Sequence, residues 1–152
     1  MTIQAPFQRP LRLAGARKAE VRTQFALLGW RRVEGKLKVC LVTSRGSKRW
    51  ILPKGWPMGR TTPSRAAAIE AWEEAGLEGK VEAQPLGLVS YQKRFGKSEV
   101  PVIAVVYAME VTRVADDYPE KGQRKRKWFS PKKAASKLDD AELAHIVRHF
   151  TV

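Results

Sequence analysis

The sequence predicts an α+β fold from three observations. Short runs rich in Val, Ile, Leu and aromatic residues recur between turn-forming stretches. One Ala-rich segment carries both a helix start and a helix stop. The C-terminal segment places apolar residues at helical spacing. A chain of 152 residues with 43% hydrophobic content can fill one core and is short for two. We therefore expect a single domain over residues 21–152, preceded by a basic arm over residues 1–20, where Arg9, Arg12, Arg17 and Lys18 follow no clear period.

Taken in order, "RTQFALLGWRR" and "KLKVCLVTSR" are strand-like runs separated by "VEG", which predicts a hairpin. "KRWILPKGWPMGRTTPS" is a short apolar piece followed by a Gly- and Pro-rich loop. Thr62 before Pro63 matches an N-cap with Pro at the first helical position. Gly76 suits the position just past a helix end, so the spacing predicts a helix over 63–75. "QPLGLVSYQKRF" and "VPVIAVVYAMEVT" read as two more strands, and "GQRKRKWFS" as a basic loop ending in a short one. "PKKAASKL" and "DDAELAHIVRHF" read as helices, the second with Leu143, Ile146, Val147 and Phe150 along one face. The strands are expected to be mostly antiparallel.

No apolar run reaches the length of a membrane-spanning helix, and the N-terminal stretch lacks the apolar centre of a signal peptide. Cys40, in "KVCLVTS", suits a buried strand and a reducing compartment. Together these predict a cytoplasmic chain with no membrane partner. The net charge of +14 predicts attraction for polyanions, and composition alone does not choose among nucleic acid, a membrane surface and a heavily phosphorylated small molecule. Oligomeric state is not legible at this level.

Against that charge, "AAAIEAWEEAGLEG" gathers Glu70, Glu73 and Glu74 with no basic residue among them. On a helix they occupy an arc of roughly 100°, with Ala67, Ala68, Ala71, Trp72 and Ala75 mostly on the other side. Glu70 and Glu74 form a like-charge i,i+4 pair that costs about 0.2–0.5 kcal/mol. Glu73 and Glu74 stand in the last turn, where the helix dipole disfavours anions by about 0.3–1 kcal/mol. A hard divalent cation would reverse both penalties, because it takes carboxylate oxygens. The alternative is a solvated acidic face paired with basic side chains elsewhere in the fold.

Counted from Gly55, the chain resembles the signature of the Nudix hydrolases: Gly, five residues, Glu, seven residues, Arg-Glu, an aliphatic and any residue, Glu-Glu, any residue, Gly, aliphatic. Glu70, Glu73, Glu74, Gly76 and Leu77 occupy their places, while Thr61 stands at the first Glu and Ile69 at the Arg. In the family those two side chains help orient the loop and the helix carboxylates. "LVTSRGSKRWILPKG" and "GQRKRKWFS" further resemble the diphosphoinositol polyphosphate phosphohydrolase-like branch.

This resemblance implies a Nudix-like α/β/α sandwich with a mixed, largely antiparallel sheet, and hydrolysis of phosphoanhydride bonds. It further implies a Mg²⁺ cofactor, with Mn²⁺ as the alternative, held by Gly55, Glu70, Glu73 and Glu74. Glu70, Glu73 and Glu74 are the catalytic candidates, and Arg22, Arg45, Lys54, Arg124, Lys125 and Arg126 the candidates for holding the substrate. The expected substrate is a diphosphoinositol polyphosphate or a dinucleoside polyphosphate. A triphosphorylated RNA 5′ end is the enzymatic alternative and a non-catalytic RNA-binding module the alternative of another class. No RNA-binding motif with stacking aromatics on a strand is recognisable.

Overall fold

The computed structural model describes residues 3, 6–11 and 21–152. The elements run β1 (Arg22–Val33), β2 (Lys36–Thr43), β3 (Trp50–Ile51), β4 (Lys54–Gly55), α1 (Pro63–Ala75), β5 (Leu77–Val81), β6 (Gly87–Phe95), β7 (Ser98–Val114), β8 (Arg126–Phe129), α2 (Pro131–Lys137) and α3 (Ala141–Arg148). β1 and β2 form the expected antiparallel hairpin, its turn carrying Glu34 and Gly35 at positive φ. β1 also pairs in parallel with β7, from Arg22↔Val102 to Trp30↔Glu110, and antiparallel with the short β4 through Phe25↔Gly55. β7 binds β5 and β6 antiparallel as well, so the sheet is mixed, with antiparallel pairings in the majority.

Alternation along β1 sends Leu27 to one face of the sheet and Ala26, Leu28 and Trp30 to the other. The first face packs against Ala67, Ala71 and Ala75 of α1, whose small side chains allow a close approach. The second carries Ala134 and Leu138 from the α2 region and Ile146, Val147 and Phe150 from α3 and its end. The result is the expected helix–sheet–helix sandwich. α1 begins and ends where its caps predict: Thr62 Oγ1 accepts from Arg65 N, and Gly76 sits at φ 66°. A Cβ on Gly76 would also collide with the Tyr118 ring.

Two details differ from the sequence-based expectation. The sequence pattern does not predict β5, because "LEGKV" alternates too little apolar character to register as a strand. It exists through backbone pairing with β7 and is bulged at Glu78/Gly79, where a Cβ on Gly79 would strike Glu110 O. "RWILPKG" contains two short strands rather than one apolar piece.

Much of the basic arm expected over residues 1–20, including Arg12, Arg17 and Lys18, lies outside the described residues. Its described part is tied to the domain. Gln8 donates to Leu88 O at 2.9 Å and accepts from Leu88 N at 2.6 Å, as a neighbouring strand would, while Phe7 O lies 3.1 Å from His145 Nε2. Among the described residues no helix is long and apolar enough to cross a membrane.

Candidate active site

The acidic face of α1 points at β4 and at the loop leading into β8. Glu74, the most buried acid of the face at 4% exposure, commits both carboxylate oxygens. Oε2 accepts from the backbone N–H of Lys54 at 2.9 Å, and Oε1 lies 3.0 Å from Arg124 Nη2. Arg124 is equally enclosed. Its Nε donates to Glu120 Oε1 at 3.1 Å and its Nη1 to Thr43 O at 3.1 Å. Glu120 in turn donates its backbone N–H to Glu73 O at 2.9 Å and stands 3.9 Å from Arg45 Nη1. The two loops after β2 and before β8 are thereby drawn against the helix.

Glu70 lies against Gly55, where any Cβ would collide with its carboxylate. Glycine here leaves room for that carboxylate, whatever its backbone conformation. Partial burial pushes the Glu70 carboxyl up to about 7, and the charges of Glu74, Glu73 and Glu120 push in the same direction. Burial also raises Glu74, an effect opposed by Arg124. Lys54 faces the other side of β4. Burial lowers its ammonium to about 8 against the opposing pull of Glu74, and its Nζ stands 5.9 Å from the centre of the Tyr91 ring.

The remaining predicted residues separate into groups. Arg45 and Lys125 are exposed at the rim, and the Lys125 backbone is pinned to Thr43 through N–H to Oγ1 at 2.9 Å. Arg22 is exposed at the start of β1, a few residues ahead of the Phe25–Gly55 pairing. Arg126 points elsewhere. Its Nη1 donates to Ala75 O at 2.7 Å and Ala115 O at 2.9 Å, and its guanidinium lies over Tyr118, so it closes the C-terminal end of α1. Glu120 is not recognisable from sequence, since an acid in "DYPEKGQ" has no periodic context. Its only signal is being the last acid before the basic run.

The NUDIX domain family profile matches residues 22–150. The chain belongs to the Nudix family. Over 103 residues it is 32% identical to "Nudix hydrolase 12, mitochondrial" of Arabidopsis thaliana, a match covering 65% of this chain and 51% of that protein. Over 117 residues it is 33% identical to diphosphoinositol polyphosphate phosphohydrolase 2 of Rattus norvegicus, covering 75% and 62% respectively. The match spans about half the length of the plant relative. Among solved structures, a C. elegans Ap4A hydrolase superposes with a TM-score of 0.60 at 20% identity, covering 84% of this chain and 94% of that one. The NUDIX domain of Shewanella oneidensis NrtR, complexed with ADP ribose, superposes with a TM-score of 0.63 at 16% identity, covering 90% and 94%. At these identities the structural likeness is one of fold.

Within the Nudix signature, the two departures occupy unlike settings. Thr61 Oγ1 turns back onto Gly59 O at 3.4 Å. Ile69 lines a hollow with apolar neighbours, Ala68, Trp72, Leu77 and Met109, and charged ones, Arg65 and Glu78. Across β4 from the carboxylates is a cavity of about 190 Å³ between the sheet and α3, walled partly by Ala26, Trp50, Val89, Tyr91, Val106 and Leu143.

Oxygen-rich donors of net negative charge suit a hard divalent cation. Burial raises Glu70 and Glu74, the first helped by Glu74, Glu73 and Glu120 and the second by Glu120, and the missing Cβ of Gly55 leaves room for the Glu70 carboxylate. The residues therefore fit a Nudix metal by chemistry. Among the described residues no three acid side chains already converge as a cage, and Glu74 is held by Lys54 N–H and Arg124.

Proposed function

We propose that the chain hydrolyses a phosphoanhydride bond of a polyphosphorylated substrate with a divalent cation, Mg²⁺ or Mn²⁺. The observation that carries this reading is the placement of Glu70 and Glu74 against β4, beside a rim of exposed cations that includes Arg45 and Lys125. A cation held by Glu70, Glu73, Glu74 and the backbone at Gly55 would neutralise charge on the transferring phosphoryl group and acidify the attacking water.

Glu70, packed against Gly55 on the acidic face, is the candidate to take the proton as water forms a bond to phosphorus. The anhydride P–O bond breaks and the leaving phosphate departs with its electron pair. Arg124 opposes the burial that raises Glu74 and orients its carboxylate through their 3.0 Å contact, and so acts as a positioning residue. Arg45 and Lys125 bind phosphate oxygens at the rim, Arg22 extends that rim, and Lys54 meets only a phosphate that enters the cavity across β4. The match to diphosphoinositol polyphosphate phosphohydrolase 2 and the fold shared with an Ap4A hydrolase support a polyphosphate substrate.

Phosphate release should be measured with each cation over inositol pyrophosphates, dinucleoside polyphosphates, nucleoside diphosphate sugars and triphosphorylated RNA. Turnover that requires metal and vanishes in Glu70→Gln is the expected result. Metal-independent turnover, or none on any substrate alongside tight RNA binding, would overturn the reading in favour of a binding module.

A further inference from the structure

The tip of the β1–β2 hairpin, "RRVEGKLK", carries four cations and one acid, and its register sets like charges face to face. Arg31 lies directly opposite Lys38 and Val33 opposite Lys36, so Arg31, Lys36 and Lys38 project from one face of the sheet. Like charges paired across two strands weaken the pairing. No ion pair relieves them among the described residues, although Glu110 lines the open notch beside Arg31 and Arg32. Arg31 is nonetheless braced: its guanidinium lies 4.1 Å from the centre of the Trp128 ring on β8, and its enclosed Nε has no acceptor. Trp128 stands opposite Cys40 in register, which puts the ring on the face that α1 covers further along. Arg126, two residues before Trp128, closes the end of α1, so the cluster stands beyond that end. Along β1, Arg31 is six residues past Phe25, the partner of Gly55, and therefore about 20 Å from the carboxylate site.

We propose that Arg31, Lys36 and Lys38 form an exosite for the phosphate backbone of a single-stranded nucleic acid, separate from the carboxylate site. It goes beyond the hydrolase reading and does not depend on it. Lys36 and Lys38 stand about 7 Å apart on one strand face, on the scale at which successive phosphates recur along an extended single strand. The Trp128 ring fixes the guanidinium, so less side-chain freedom is lost when its terminal nitrogens grip phosphate oxygens. Three cations on an open surface hold a lone phosphate weakly. A chain polyanion meets all three at once and releases its counterions as it does so. An acidic peptide would meet the same charges, but it lacks the unpaired bases that stack on an arginine plane. The net charge of +14 adds long-range attraction for such a strand.

The test measures binding apart from turnover. A fluorescent 5′-hydroxyl oligoribonucleotide, which carries no anhydride, is titrated with the full chain by anisotropy, without metal and over a range of salt. Replacing Arg31, Lys36 and Lys38 together by Gln should weaken binding about tenfold or more at low salt. It should also flatten the plot of log affinity against log salt by about 2, since each phosphate contact on a single strand contributes about 0.7 to that slope. Lys36→Gln with Lys38→Gln leaves the Arg31–Trp128 contact in place and should flatten the plot by about 1.4, so the result stands even if the triple variant folds poorly. Lys132, Lys133 and Lys137, exposed on α2, supply the control: changing all three to Gln removes the same charge elsewhere and should leave most of the affinity and slope. Equal losses in the α2 variant overturn the exosite and leave only net charge. A polyglutamate peptide that binds as tightly as the RNA, with the same losses in the hairpin variants, overturns nucleic acid as its occupant. Metal-dependent hydrolysis of a small polyphosphate, measured in parallel, should be the same in the hairpin variants as in the parent, so failure of the hydrolase reading and failure of the exosite show separately.

Discussion

Arg124 and Glu74, far apart in sequence, meet at 3.0 Å with only 8% and 5% of their side chains exposed. The guanidinium also bonds Glu120 and the Thr43 carbonyl, so one side chain joins α1 to both flanking loops. Removing one partner of such a buried pair leaves the other unpaired. Arg124→Ala should lower unfolding free energy by about 3–5 kcal/mol. Adding Glu74→Gln to it should recover part of that loss, which chemical denaturation of the single and double variants will measure.

Gly55→Ala separates proximity from folding. The new Cβ would meet the Glu70 carboxylate, the far end of a flexible chain that can swing aside. A stability loss of about 1 kcal/mol is expected, the low end of overpacking penalties. Metal affinity, read by calorimetry, should fall much further than the melting temperature suggests.

Stability of the metal-free protein should decline as pH rises between about 4.5 and 7 through Glu70, whose carboxyl is raised from 4.5 to about 7. The folded state binds the proton more tightly, so this contribution is complete below the unfolded value and is lost as pH rises through the folded one. Glu74, also raised, acts in the same direction. Melting temperatures in chelator should show the slope, and Glu70→Gln should flatten it. Saturating Mg²⁺ should raise the melting temperature most at the alkaline end.

Lys54, lowered to about 8 by burial, is charged below that value. If it holds phosphate, KM should climb as pH rises through the neighbourhood of 8, and Lys54→Met should remove that limb. A profile unchanged in Lys54→Met would deny Lys54 a substrate role.

The basic run should divide by function. Arg45→Ala and Lys125→Ala together should raise KM for polyphosphates and weaken its salt dependence, each lost charge-assisted bond being worth about 1.5–3 kcal/mol. Arg126→Ala should instead cost about 1–3 kcal/mol of stability, since it strips the bonds to Ala75 O and Ala115 O, and leave KM nearly untouched. Steady-state kinetics alongside thermal melts will distinguish the two patterns.

By itself the sequence determined the parts whose causes are local. Thr62, Pro63 and Gly76 delimit α1; the 3.6-residue period puts Glu70, Glu73 and Glu74 on one face and the alanines on the other; the run of β-branched residues marks β7. These features depend on residues a turn or two apart, and the family signature is written in the same short-range spacing. Only the tertiary structure decided which groups meet that face. The parallel pairing of β1 with β7 and the bulged β5 arise from backbone hydrogen bonds that side-chain pattern does not encode. Arg124 and Arg126 stand two residues apart in one basic run and look alike in sequence. Strand alternation would place them on the same side, yet Arg124 lies ahead of β8 and turns to Glu74, while Arg126, its first residue, turns to the end of α1. Trp56 and Phe95 likewise become neighbours only when β4 and the β6–β7 hairpin are brought side by side. Long-range pairings of this kind depend on where the whole sheet carries each strand, and no window of the sequence contains that information.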